Sequence, residues 1–160
     1  MADRRNDIGT APSNIFEEAV KAIPQISHAY CMGLRAMGKD SSRVCAADTK
    51  LLTGSVDIDR ATKKLYPEEA RWDFAIGYGA GAYFVEVHPA STSNVAEVIN
   101  KARWLSLWLR DTGKPLCELW ADGLLHWVAS GKVAIAKTSP QYRRLSVAGV
   151  RLAGSALRLP

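Results

Sequence analysis

The chain predicts an α/β domain built on a mixed sheet flanked by helices, and three observations carry that expectation. Leu52, Gly54, Val56 and Ile58 alternate with Thr53, Ser55, Asp57 and Asp59, which is the period of a half-buried strand. Residues 71–78 and 82–88 flank the glycine-rich turn Gly77-Tyr78-Gly79-Ala80-Gly81 and read as the arms of a hairpin. Val95, Val98, Ile99, Ala102, Leu105 and Leu109 then recur at helical spacing. The order helix, strand, strand, strand, helix and further strands is that of an α/β arrangement.

The first dozen residues, 1–12, are polar and are expected to be flexible, leaving 13–160 as a single domain long enough to bury a core without disulfides or a structural metal. Asn14 and Glu17 stand at capping-box spacing and open a helix that Pro24 interrupts. Ile26, Tyr30, Leu34 and Met37 share one helical face, so a second helix is expected to run to Gly38 as its C-cap. The strand over 52–58 follows. Residues 60–70 are charged, contain Pro67, and read as a connection. Pro89 is expected to end the hairpin's second strand, and Ser93 or Asn94, with Glu97 at box spacing from Asn94, to cap a helix reaching about Asp111.

Trp104 and Trp108 widen the apolar sector of that helix beyond what one sheet face requires. A second contact is implied, with the chain's own terminal segment or with a partner in a homodimer. Asp122-Gly123 between 116–120 and 124–128 has the signature of a hairpin turn, and 133–136 would add another strand after Ser130-Gly131. A capped helix is expected to begin near Pro140.

An apolar share of 48% and a charged share of 23% exclude a disordered chain. Three scattered cysteines, Cys31, Cys45 and Cys117, form no Cys-x-x-Cys pair, which argues for a reducing compartment and against a zinc knuckle. The opening residues lack an apolar signal core, and no run of about eighteen apolar residues occurs. A soluble, cytoplasmic protein without a membrane partner is expected. The net charge is +5, and no acid follows Asp122 while Lys132, Lys137, Arg143, Arg144, Arg151 and Arg158 do. The segment 132–160 is therefore purely basic, favouring a polyanion such as nucleic acid, or else serving as a solvated surface.

Asp73 and Glu86 lie thirteen residues apart astride the glycine turn. With a two-residue loop at Gly79-Ala80, the opposed pairs run 78/81, 77/82, 76/83 and so on to 73/86. Opposed side chains lie roughly 5 Å apart on one face, where two carboxylates repel unless a cation or a shared proton compensates them. A divalent metal would supply that cation. A loop set one residue differently would send the two acids to opposite faces. In the first register Asp73 shares a face with Ala75, Gly77, Phe84, Glu86 and His88. Trp72, Phe74, Ile76, Tyr83, Val85 and Val87 form the other face, the expected core side. His28 and His126 read as structural, Asp57 and Asp59 as the wet side of a strand, and Gly77-x-Gly79-x-Gly81 as a turn rather than a nucleotide fingerprint.

Helix, three-stranded meander, helix, strand, with Asp73 and Glu86 on the second and third strands, resembles the αβββαβ core of the restriction-endonuclease-like PD-(D/E)xK nuclease superfamily across about residues 14–130. The resemblance implies a metal-dependent nuclease that hydrolyses DNA phosphodiester bonds with Mg²⁺ or Mn²⁺ held by Asp73 and Glu86. Glu86-Val87-His88 stands where the family has acid-x-lysine. His88 is therefore a candidate base, and Lys101 on the following helix is a candidate for the lysine that some members supply from there. Glu17 or Glu18 would supply the acid that such nucleases often carry on the first helix. Lys132, Lys137, Arg143 and Arg144 would hold the DNA backbone. The missing strand lysine favours an alternative, a catalytically inactive nuclease-fold protein acting as a nucleic-acid or protein binding module.

Overall fold

A computed structural model describes residues 14–160; the expected flexible segment 1–12 lies outside the described residues. The first helix, α1 (Ile15–Lys21), starts where the Asn14 side chain accepts the Glu17 amide at 3.0 Å, and it buries Phe16, Ala19 and Val20. The Glu17 carboxylate turns to Lys21 instead of completing the box.

The second helix expected to end at Gly38 does not form. A 3-10 turn at Ser27–Ala29 is followed by an isolated bridge in which Cys31 and Ser55 exchange backbone hydrogen bonds, both 2.9 Å. A 3-10 stretch over Arg35–Arg43 is then broken at Gly38, whose φ of 54° and ψ of −126° are not helical. Pairing with the neighbouring strand satisfies the backbone here, so the apolar spacing reflects burial of Ile26 and Met37 without a continuous helix.

Five strands form the main sheet: β2 (Leu52–Asp57), β3 (Phe74–Tyr78), β4 (Gly81–Ser91), β5 (Trp120–Ala134) and β6 (Val150–Leu152), adjacent in that order. The meander β2-β3-β4 is antiparallel, whereas β4–β5 and β5–β6 are parallel, so the sheet is mixed. A separate parallel pair joins β1 (Val44–Ala46) to β7 (Leu157–Leu159). The stretch expected as a plain connection opens with a short helix, α2 (Ile58–Thr62), capped by Asp57.

The hairpin has the register that its turn length dictates, from Tyr78 opposite Gly81 to Phe74 opposite Val85. Gly79 takes φ of 58° and Ala80 is not at positive φ, the sign pattern of a type II′ turn that matches the twist of the strands. β4 does not stop at Pro89. It passes through that exposed residue at a register shift between His88 and Ala90, where a missing N–H costs no ladder bond.

Asp122-Gly123 likewise makes no hairpin. It is an irregularity inside β5, between Trp120 opposite Ala82 and Leu125 opposite Phe84. The expected strand near 133 is the continuation of the same β5. Residues 116–120 instead begin in the short helix α4 (Lys114–Cys117).

Both faces of the hairpin are buried, which corrects the expectation that only the face of Phe74 and Ile76 is core. That face packs with Val85 and Val128 against Met37, Val44, Leu157 and Leu159. The opposite face, with Ala75, Ala82, Phe84, Leu125 and Trp127, meets the larger cluster from α1 and from α3 (Val95–Asp111). The expected stripe of α3 is buried throughout, and Trp108 joins it. Both tryptophans make contacts within this chain beyond the sheet face, with residues before and after β2 rather than with the terminal segment. Trp108 Nε1 donates to Gln25 at 2.9 Å, Trp104 stacks on Trp108 at 5.9 Å, and Tyr66 meets Trp104 edge-on at 5.6 Å. The terminal helix, α5 (Pro140–Val147), is capped by Ser139 as expected.

Gly77 lies where Phe16 of α1 and Thr53 of β2 come close to the backbone of β3. A Cβ there would lie 2.3 Å from Thr53 Oγ1 and 2.4 Å from Phe16 Cγ. Gly77→Ala is expected to cost about 1–3 kcal/mol in denaturant unfolding, because neither strand nor helix yields freely; an unchanged midpoint would contradict this packing.

Candidate active site

The helix-facing side of β4 places Phe84, Glu86 and His88 toward α3, and the hairpin register carries Asp73 to the same side, one residue before β3 begins. Glu86 is 0% exposed. A carboxylate removed from water needs partners, and it has two: the Asp73 amide donates to Glu86 Oε2 at 3.0 Å, and Lys101 Nζ donates to Glu86 Oε1. Asp73 returns the first contact by accepting the Val87 amide on Oδ2 at 3.0 Å. Its own carbonyl accepts the Ile58 amide at 2.8 Å, so the start of α2 also holds it. Lys101 Nζ stands 3.8 Å from Asp73 Oδ1. One ammonium therefore serves two carboxylates.

Burial and then the Asp73 charge push the Glu86 carboxyl up to about 8, against the pull of Lys101 and of both hydrogen bonds. Asp73 is raised too, by burial, although Lys101 and the Val87 amide oppose it. Burial alone would lower Lys101, but Glu86 and Asp73 outweigh it and hold the ammonium above its ordinary value. The site thus carries one cation for two acids, and burial above all raises the affinity of both acids for protons. Asp73 and Lys101 leave 20% and 15% of their side chains exposed, so the group meets solvent on their side.

His88 lies on the same face but is held elsewhere. Its Nε2 is 3.2 Å from Glu97 Oε2, its Nδ1 is 3.1 Å from the Pro89 carbonyl, and its ring stands edge-on to Trp127. Both ring nitrogens face acceptors. Glu17 pairs with Lys21 and Glu18 is exposed on α1. Asp57 caps α2 through the Arg60 amide, while Asp59 pairs with Arg71 at 2.9 Å, and both acids help raise Asp73. Among the described residues no group of three or more His, Cys, Asp or Glu is placed to hold a metal.

The basic residues divide. Lys132 is exposed in the part of β5 that pairs beyond His88, at the sheet end where the acids lie, and Lys137 is exposed just past that strand. Arg143 and Arg144 on α5 instead share a groove with Arg103 and Arg110 of α3, two residues that the charge count of the C-terminal segment passed over. At 100° per residue these α3 positions face roughly half a turn away from Lys101. His126, expected to be structural, is buried with Nε2 2.7 Å from Asp122 Oδ2. Among the described residues no helix is long and apolar enough to cross a membrane. Compared with protein-family models, curated proteins and solved structures, the chain matches none.

The raised Glu86 has a sign consequence for stability. Between about 4.5 and about 8 the folded chain binds more protons than the unfolded one, so stability falls as pH rises through that window, and raised Asp73 acts in the same sense. Urea unfolding across this range is expected to show that slope in the native chain and a smaller one in Glu86→Gln. Equal slopes would mean that Glu86 titrates alike in both states.

Proposed function

We propose that the protein is a metal-dependent phosphodiesterase of the PD-(D/E)xK kind acting on DNA, with Asp73 and Glu86 as the cation-holding acids and Lys101 in the role of the motif lysine. The observation that carries this is the convergence of Lys101 Nζ, delivered by α3, on Glu86 Oε1 and Asp73 Oδ1. The element order α1, β2-β3-β4, α3, β5, with β5 parallel beside β4, is consistent with the restriction-endonuclease-like core.

The donor set suits a hard divalent ion. Mg²⁺ and Mn²⁺ take oxygen ligands, commonly one or two carboxylates completed by water and substrate phosphate. Asp73 and Glu86 are such donors, and burial is the main cause of their raised proton affinity. When bound, such an ion supplies polarisation of a phosphoryl oxygen and a lowered pKa for bound water. The chain's own residues do the positioning. The Ile58 and Val87 amides fix Asp73, the Asp73 amide fixes Glu86, and the Lys101 ammonium offers charge to a phosphate on the solvent side of the acids. Lys132 and Lys137, exposed at and just past the end of β5, are the candidates for contacts with the sugar-phosphate backbone.

A specific observation favours a second function, a nucleic-acid or protein binding module without catalysis. Asp73, Glu86 and Lys101 already satisfy one another, and the strand position of the motif lysine holds His88, itself engaged by Glu97.

Calorimetry with Mn²⁺ and plasmid nicking separate the two. For the phosphodiesterase, Mn²⁺ uptake is expected to strengthen as pH rises toward about 8, since the ion binds the ionised form of Glu86, by up to about tenfold per unit. Asp73→Asn should abolish uptake, and Lys101→Met should lower the nicking rate by about a hundredfold or more. Mn²⁺ uptake undiminished in Asp73→Asn, or duplex binding without metal and without nicking, would favour the binding module. Lys132→Ala with Lys137→Ala is expected to weaken duplex affinity and flatten its salt dependence by about two phosphate contacts; an unchanged salt slope would remove these lysines from the interface.

A further inference from the structure

The flank of α3 opposite Lys101 has no part in the phosphodiester chemistry, yet it carries a broad basic groove. A groove of about 650 Å³ runs between α3 and α5, walled by Arg103 and Arg110 on one side and by Arg143 and Arg144 on the other. Among the described residues no acid lines the groove or lies within ion-pair distance of these four arginines. Between the charges stand Leu107, 59% exposed, and Val147, 90% exposed. We infer that this groove docks an acidic amphipathic helix of a partner protein, its carboxylates pairing with the four arginines and its apolar stripe covering Leu107 and Val147.

Three features select that occupant. Charge complementarity requires an anion along both walls, because arginine forks pair with carboxylates through two hydrogen bonds. The exposed apolar residues gain only from an apolar surface, which a phosphate backbone does not present to them, so nucleic acid leaves Leu107 and Val147 uncovered. A second copy of the chain would bring the same arginines to a two-fold contact and repel. The dimensions also suit a helix. The lining positions of α3, from Ile99 to Arg110, extend roughly 16 Å at 1.5 Å per residue, the length of about three helical turns.

The test uses the full chain and three labelled probes read by fluorescence anisotropy at physiological salt. The first is an amphipathic peptide of about eighteen residues with Leu at i, i+3, i+4 and i+7 and Glu elsewhere; the second has the same composition with the leucines scattered; the third is a short duplex DNA. The amphipathic peptide is expected to bind at least about tenfold more tightly than the scattered one, and to lose about tenfold or more with Arg143→Glu/Arg144→Glu and with Leu107→Asp. These side chains are exposed, so an unchanged thermal midpoint confirms folding of each variant. No binding of the amphipathic peptide, equal binding of both peptides, or arginine-dependent binding of the duplex alone would overturn the inference. Asp73→Asn leaves this groove untouched, so failure here and failure of the phosphodiesterase are separate results.

Discussion

Glu86 is a carboxylate with no exposed surface on the one sheet face that must pack against a helix, and much of the structure answers that constraint. An acid in this place is costly unless it is hydrogen-bonded and paired. The hairpin supplies the Asp73 amide, and α3 supplies Lys101. Pairing through Lys101 also sets where α3 can lie along β4, because the ammonium must arrive beside Oε1. A second acid, Asp73, then competes for the same ammonium, and the three groups hold charge in a balance that a proton or a further cation can tip.

Local chemistry made part of this legible. The two-residue turn at Gly79-Ala80 fixes the hairpin register, so the approach of Asp73 to Glu86 follows from counting, and the stripe of α3 follows from its period. Other elements were decided by distant partners. Asp122-Gly123 is a strong hairpin signal by itself, yet residues 125–129 are buried between two parallel neighbours, and the central place in the sheet outweighs the turn preference. The helical spacing from Ile26 to Met37 lost to backbone pairing between Cys31 and Ser55. The hairpin's face assignment failed because α1 and α3 cover the face of Ala75, Phe84 and Glu86, while β1, β7 and the 3-10 segment cover the face that alternation marks as core, so both sides of the strands are buried. Alternation cannot say how many layers a sheet will have.

The site shows the same division. Asp73 and Glu86 are close in the hairpin and were readable, whereas Lys101 was a candidate only through the family resemblance, because its contact depends on the angle at which α3 crosses β4. α3 then works as a divider. Its core stripe separates a flank bearing Lys101 from a flank bearing Arg103 and Arg110, which join Arg143 and Arg144 across a groove. Basic residues that look like one tract in the sequence thus lie apart, Lys132 and Lys137 at and just past the end of β5 and Arg143 and Arg144 on α5 beside α3.

Burial and Asp73 raise the Glu86 carboxyl against the pull of Lys101, and the cation proposed for this site would bind its ionised form. Carboxyl carbon NMR of Glu86 as a function of pH, with and without Mg²⁺, tests this central claim most directly. The expected result is a midpoint near 8 in the free protein that moves down when Mg²⁺ is added. A midpoint near the ordinary 4.5, indifferent to Mg²⁺, would contradict the account.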